Sequence, residues 1–427
     1  MKIVAEAGTS YEGSLDKAKK LVETAKNCGA DVVKFQWVYA DEILHPKTGF
    51  VDLPGGKIAL YDRFKQLEVT PDFFYELRQF CRENEIAFMC SPFGPKSLSE
   101  LLQIEPDFIK IASPELNYVQ LLRQLANENK KNIPVVLSTG VSKLCDIERA
   151  LDILKKTDSI KEPTSSGKLD MCGELDSCGE FTSCGELDSC GELDSCGTPN
   201  LSKNLDMCKE SIAQNDNITL LHCITSYPAP EEEYNLRLIC SLQNIFGFPT
   251  GVSDHSLSPL YVPLLSQALG ATMLEKHITL SNEGCGLDDP VALNPKNFEL
   301  MCSKVREFAK ADSVTDYTLS WLQDKIGDKV SKILGNGVKK LAPSEEKNYG
   351  RTNRSLRFVK DKKHGQIIEN GDIAVLRTEK ILDVGVEPKF LDNFIGCKLT
   401  KDVQSSDAVT WSCISHHSSE ASFLNMH

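Results

Sequence analysis

Positive charge is scarce in this 427-residue chain. Its 48 Lys and Arg stand against 61 Asp and Glu, a formal net charge of −13, which gives a polyanion such as nucleic acid no field to follow. Long apolar runs are missing as well: no stretch approaches the roughly 18 apolar residues a bilayer crossing needs. The opening Met-Lys-Ile-Val-Ala-Glu enters a strand pattern without the charged and apolar regions of a signal peptide. A cytoplasmic location with no nucleic-acid and no membrane partner is expected. No Gly-x-Gly-x-x-Gly follows the first strand, which removes the dinucleotide fingerprint. Cys-x-x-Cys pairs are also absent, although there are sixteen cysteines; five recur every six residues and the others are scattered through apolar segments, so reduced thiols fit better than a disulfide framework.

What is present is a regular alternation. Apolar runs of strand length cover Ile3 to Gly8, Asp31 to Gln36, Ala87 to Phe93, Phe108 to Ser113, Val135 to Thr139, Thr219 to Thr225, Thr250 to Ser256 and Thr272 to Thr279. Helical patterns intervene, for example Leu15 to Asn27 and Asp72 to Asn84, with Ser14 and Thr70 as caps. Continuous apolar strands separated by helices predict parallel strands buried on both faces. Eight in succession fit a (β/α)8 TIM barrel, class α/β, better than an open doubly wound sheet.

Barrel enzymes place their chemistry at the C-terminal strand ends, and the polar residues of this chain fall there. Glu6 ends the first apolar run, and Lys34 and Gln36 share a face of the second. Ser91, Lys110, Ser113, Ser138 and Thr139 follow at the third to fifth ends, and His222, Thr225 and Tyr227 mark the sixth. In the last two runs Ser253 alternates with His255 and Glu275 with His277, the period by which a strand delivers two side chains to one face. Two histidines at neighbouring strand ends suggest a metal; buried structural histidines are the alternative. Asp254 could be a turn residue, and Ser138 or Thr139 could close strand-end backbone bonds.

Between the fifth helix, Cys145 to Lys155, and the sixth strand stands a block that breaks the pattern. From Cys172 to Gly197 it repeats Cys-Gly-Glu-Leu-Asp-Ser with one Phe-Thr variant, and Asp170 to Cys196 holds eight acids and no Lys or Arg. Its period matches neither helix nor strand and it carries little to bury, so an insertion of about 161–210 without a packed core is expected on the N-terminal face of the barrel, away from the chemistry. A short β-solenoid and soft-metal binding by the thiols are the alternatives. After residue 310 a helical, loop-rich connection runs through residue 350, punctuated by Gly335-Asn-Gly337 and Pro343. A small β-rich domain then spans 351–411 with Asn370-Gly371 as a hairpin signal, followed by a polar tail, 412–427, in which His416 and His417 carry no function.

Taken together, Ala5-Glu-Ala-Gly, Gly29-Ala-Asp-Val-Val-Lys-Phe-Gln36, Ser91-Pro-Phe, Ile109-Lys-Ile-Ala-Ser113, Leu137-Ser-Thr-Gly140, Leu220-Leu-His-Cys223, Tyr227-Pro, Gly251-Val-Ser-Asp-His255, Leu269-Gly-Ala and Glu275-Lys-His277 resemble the N-acetylneuraminate (sialic acid) synthase family in order and spacing. Residues 351 to about 411 look like its C-terminal antifreeze-like (SAF) domain. The resemblance implies condensation of phosphoenolpyruvate with the open-chain aldehyde of an N-acylated hexosamine, giving a nine-carbon 2-keto acid and phosphate. It implies a divalent metal, commonly manganese, or magnesium or cobalt in its place, held by His255 and His277. Lys34, Gln36, Ser91, Lys110, Ser113, Ser138 and Ser253 match positions that hold phosphoenolpyruvate, and Asp288 matches an aspartate that binds acceptor hydroxyls. Glu115 matches a carboxylate near the reacting atoms, assigned to proton movement, while Glu6 and Glu275 orient metal waters or substrate. A homodimer is implied, with the small domain covering the partner's active site.

The chain also departs from that family. Ser10-Tyr11 stands where Asn-His is usual, Pro114 replaces a glycine, and Ile381 occupies the place of the small domain's arginine, for which Arg377 or Lys380 could substitute. Two other readings remain: a Schiff-base aldolase using Lys34 or Lys110, and a non-catalytic sugar-binding protein on the same fold. N-acetylmannosamine and a diacetamido-deoxyhexose are both open as acceptor.

Overall fold

The computed structural model describes residues 1–53, 56–155, 217–284, 286–379 and 381–415. The hexapeptide repeat, His416, His417, Lys380 and the tail beyond Ser415 lie outside the described residues. Twelve strands run through the described chain. They are β1 (Lys2–Gly8), β2 (Val32–Trp37), β3 (Phe50–Leu53), β4 (Gly56–Ala59), β5 (Ala87–Pro92), β6 (Phe108–Ile111), β7 (Val135–Ser138), β8 (Ile218–Cys223), β9 (Thr250–Asp254), β10 (Met273–His277), β11 (Arg354–Phe358) and β12 (Ile373–Arg377).

Eight of these close into a parallel barrel in the order β1-β10-β9-β8-β7-β6-β5-β2, a (β/α)8 architecture with all eight expected strands in place. The antiparallel hairpin β3–β4 is an addition, inserted in the loop after β2. Ser14 caps the first helix, its hydroxyl accepting from Lys17 N at 3.2 Å. Thr70 does not cap in this way: Pro71 occupies the first helical position and no side-chain bond forms, because fixed proline φ already starts the turn.

Period 2 decides what faces the barrel axis. Val4, Val32, Met89, Val136, Leu221 and Met273 form a dry inner cluster, with Ala87 and Phe108 packed against it. The outer faces of the same strands belong to the main core, which continues through the helices into the C-terminal unit. Residues 311–334, expected as part of a connection, form the helices Val314–Ile326 and Lys329–Leu334. They pack on the barrel through Leu322, Val330 and Ile333, all buried, and Trp321 meets Phe308 edge-on at 5.4 Å.

The C-terminal unit is built on β11 paired antiparallel with β12 and extended by isolated bridges such as Arg357–Ala408 and Leu399–Ile414. Asn370-Gly371 does not join the two strands directly. It forms the tight turn Glu369–Asp372 that leads into β12, with Gly371 at φ +85°, a conformation glycine adopts without strain. No helix among the described residues is long and apolar enough to cross a membrane.

Candidate active site

Two residues beyond the apolar cluster, the same inward faces turn polar. Val4 leads to Glu6, Val32 to Lys34 and Gln36, Met89 to Ser91, Phe108 to Lys110, Val136 to Ser138, Leu221 to Cys223, and Met273 to Glu275 and His277. These residues, with Ser113, Thr225, Tyr227, Ser253, His255 and Asp288, line one cavity of about 480 Å³ at the C-terminal rim. Fourteen of the fifteen site residues expected from the sequence are therefore gathered in one place; Glu115 is the exception.

The cavity floor is a network of buried charge. Lys34 Nζ lies 2.9 Å from Glu275 Oε2 and 3.4 Å from Glu6 Oε2. Gln36 donates to Glu6 Oε1 at 2.7 Å and Ser253 to Glu275 Oε1 at 2.8 Å. Lys110 Nζ donates to Ser138 Oγ at 2.6 Å and stands 3.9 Å from Glu275 Oε1. Burial pushes Lys110 down to about 8, against the pull of Glu275. Burial also pushes Glu6 up to about 7, with Lys34 opposing. Glu275 is held below the ordinary carboxylate range: burial opposes ionisation there, but Lys110 and Lys34 outweigh it. Ser91 Oγ and Thr225 Oγ1 are buried on the cavity wall without a hydrogen-bond partner. A buried hydroxyl left open in this way is costly unless something else supplies its partner.

The shape depends on one close approach. A Cβ at Gly140 would stand 2.3 Å from Thr225 Oγ1 and 2.9 Å from Ser113 Oγ, so only glycine leaves room for both hydroxyls, with Ser113 Oγ accepting from Gly140 N at 3.0 Å.

His255 and His277 stand on the same rim, ring centroids 5.4 Å apart. His255 Nδ1 faces the Ile224 carbonyl at 2.7 Å. A carbonyl can only accept, so this bond puts a proton on Nδ1 and leaves Nε2 facing the cavity, where Tyr227 OH lies 3.0 Å away. The Tyr227 ring stacks on His255 at 4.1 Å. Burial, together with His255 and Lys34, holds His277 well below the ordinary imidazole range, so it stays neutral. Asp288 Oδ2 lies 3.7 Å from His277 Nδ1. Against the effect of its burial, Cys223, the Ile224 carbonyl and Glu275 raise His255, so it is the readier of the two to hold a proton. Two imidazoles beside open space, once both are neutral, suit a first-row divalent ion with exchangeable positions, and among the described residues no cluster of three His, Cys, Asp or Glu is placed to hold one.

Several residues read from the sequence are elsewhere. His222 points outward from the barrel and bonds the Tyr234 carbonyl at 2.5 Å; it is out of step with Leu221 and Cys223, and that parity was the available signal. Thr139 closes a strand-end bond to Leu221 O at 3.1 Å. Asp254 pairs with Lys276 at 2.7 Å and accepts from Ser256 N, a structural role outside the cavity.

Glu115 stands just off the cavity, next to Ser113 and Pro114, which line it. It sits on the turn Ser113–Glu115 after β6, fully buried and away from the cavity lining. Its Oε1 accepts from Arg354 Nε at 3.1 Å and Nη2 at 2.9 Å, and from Arg377 Nε at 3.1 Å and Nη2 at 2.6 Å. One oxygen of the carboxylate is thus held by two guanidiniums, while Oε2 is buried without a hydrogen-bond partner. Arg377, by contrast, lines the cavity, together with Lys347, Asn348 and Thr352 from the connecting segment. Within the one chain, the C-terminal unit and the connecting segment thus reach the mouth of the barrel. Ile381 is 63% exposed and outside the cavity.

A closed parallel barrel with a charged cleft at its C-terminal rim defines a (β/α)8-barrel enzyme. Within that class, the NeuB family profile matches residues 21–316, and the chain belongs to the NeuB family. An N,N'-diacetyllegionaminic acid synthase of Campylobacter jejuni is 28% identical over 95% of this chain and 98% of its own. A pseudaminic acid synthase of the same organism is 26% identical over 95% and 94%. Among solved structures, a spore coat polysaccharide biosynthesis protein of Bacillus subtilis matches with a TM-score of 0.68 and 25% identity, over 97% of this chain and 95% of that one. With relatives of this kind along its length, the chain is an enzyme of the synthase type.

Proposed function

We propose that this enzyme condenses phosphoenolpyruvate with the open-chain aldehyde of an N-acylated amino sugar, yielding a nine-carbon 2-keto acid and phosphate. The observation that carries this reading is the cavity floor: Lys34 and Lys110 next to the Ser91, Ser113 and Ser138 hydroxyls, one of them without a partner. A ligand bearing both a carboxylate and a phosphate supplies the partners such a wall lacks. C3 of phosphoenolpyruvate attacks the aldehyde carbon, water adds at C2, and the hemiketal phosphate collapses with C–O cleavage. Glu6, inside the cavity and oriented by Gln36, takes the proton-handling role first expected of Glu115. Asp288, Thr225 and Tyr227 face the acceptor, and the SAF-type unit at 351–411 closes over it.

His255 and His277 would hold a divalent cation, manganese with magnesium or cobalt as alternatives; what the ion supplies when bound is Lewis acidity toward the aldehyde oxygen. One observation favours the Schiff-base aldolase instead, the lowering of Lys110 to about 8. Borohydride trapping with a carbonyl substrate separates the two, since the condensation predicts no adduct. The test of the main reading is phosphate release from phosphoenolpyruvate with manganese across N-acetylmannosamine and diacetamido-deoxyhexoses, with the product mass naming the acceptor. No release with any of them sinks it. The reaction belongs in the cytoplasm, a reducing compartment that suits the buried free thiols of Cys28, Cys81, Cys90, Cys223, Cys302 and Cys413.

A further inference from the structure

On two neighbouring strands the inward face turns apolar again one step above the charged floor. After β5, Met89 and Ser91 are followed by Phe93; after β6, Phe108 and Lys110 are followed by Ala112. Phe64, from the helix Leu60–Gln66, and Leu287, from the loop after β10, also line the cavity. All four belong to, or pack against, one apolar cluster around Val38, Ile43 and Leu67. They therefore form a single wall. Phe93 is buried at its base, whereas Phe64 and Leu287 are half-buried and keep part of their surface open.

The place of this wall in the ring sets what it can meet. In the barrel order β6 stands opposite β10 and β5 opposite β9, so Phe93 and Ala112 lie across the mouth from His277 and His255. The loop that carries Leu287 is pinned on either side of it. Buried Asp289 accepts from Ser10 Oγ at 2.7 Å and from Gly286 N at 2.8 Å, and Asn282 donates to its carbonyl at 2.9 Å. The side chains of the wall offer a ligand contact area and no hydrogen bond.

We propose that Phe64 and Leu287 are specificity-determining residues: their wall takes the far end of the acceptor, C6, and selects an acceptor ending in a methyl group over one ending in a hydroxymethyl group. This rests on the function proposed above, which puts the aldehyde C1 beside the histidines; an open-chain hexose then presents its other end across the mouth. A methyl placed there gains by leaving water. A hydroxyl gives up its water partners and finds none on the wall.

The test compares N-acetylmannosamine with its 6-deoxy form, which differ by one oxygen, in phosphate release from phosphoenolpyruvate with manganese by the full chain and by Phe64→Ser and Leu287→Ser. The wild-type chain should favour the 6-deoxy sugar by about tenfold or more in kcat/KM. Each substitution should bring that ratio to within about threefold of unity through the acceptor KM, with the phosphoenolpyruvate KM changed by less than about twofold. Equal use of the two sugars by the wild-type chain, or preference for the hydroxymethyl, overturns the proposal whether or not the variants fold. So does a ratio that neither folded variant moves. The unreactive alditols of the same two sugars, titrated calorimetrically in the presence of phosphoenolpyruvate, supply a second readout. If neither sugar of the pair releases phosphate, calorimetry alone judges the wall: tighter binding of the 6-deoxy alditol, lost in Leu287→Ser, supports it, and equal binding or none refutes it. Absence of release with every acceptor is the separate failure of the proposed function.

Discussion

Two layers of side chains stand on the same barrel strands and face the same axis, one step of about 7 Å apart. The lower, Val4, Val32, Met89, Val136, Leu221 and Met273, is dry and apolar. The upper layer carries Glu6, Lys34, Ser91, Lys110, Ser138 and Glu275, equally buried but charged or hydroxylated. The lower layer stabilises the fold by removing apolar area from water. The upper layer costs stability, since desolvating a lysine or a carboxylate costs several kcal/mol that ion pairing only partly offsets. The barrel can carry that cost because its closure is secured one layer below, and the displaced pKa values of Lys110 and Glu6 are the trace of it.

The sharpest break of this contrast is Lys110→Met, which makes an upper position resemble a lower one. The kcat/KM for phosphoenolpyruvate should fall by about a thousandfold, while the melting temperature of the free protein stays level or rises; a large drop in melting temperature would contradict the division of labour. Next, manganese titration of His277→Gln should show affinity weakened by at least about tenfold, with the fold intact by circular dichroism. The converse break is Met89→Ala, expected to cost about 2–5 kcal/mol in denaturant unfolding while turnover per folded molecule changes by less than about twofold.

The pH dependence sharpens the same comparison with opposite signs. Lys110 is lowered from 10.5 to about 8, so between those values the unfolded chain binds more protons than the folded one. This group therefore makes the stability of the free protein rise with pH across that window. Anion binding needs the protonated amine, so affinity for phosphoenolpyruvate should fall as pH rises past about 8, and Lys110→Met should abolish that limb. The smallest effect is expected from deleting residues 161–210. The described chain stops at Lys155 and resumes at Asn217, just ahead of the N-terminal end of β8, the strand end opposite the cavity, and turnover should stay within about twofold.

Most of the site was legible because period 2 is a local rule. Once the strands were recognised, Lys34 with Gln36, Ser253 with His255, and Glu275 with His277 fell on one face. His222 was misread by ignoring that rule, since its neighbours Leu221 and Cys223 carry the inward parity. The β3–β4 hairpin escaped because two four-residue strands in a loop leave too short a pattern to stand out. Glu115 escaped for a different reason: the residues that define it are 239 and 262 positions away.

The alternation of apolar and polar residues along eight short runs was enough, without coordinates, to set the barrel, its inward faces and the end at which the polar groups collect. Those are consequences of backbone geometry, which repeats every two residues regardless of context. Which charges pair, which hydroxyls stay open and which residues of the C-terminal segments reach the cavity depend on contacts between distant segments, and only the packed chain brings those atoms within reach of one another.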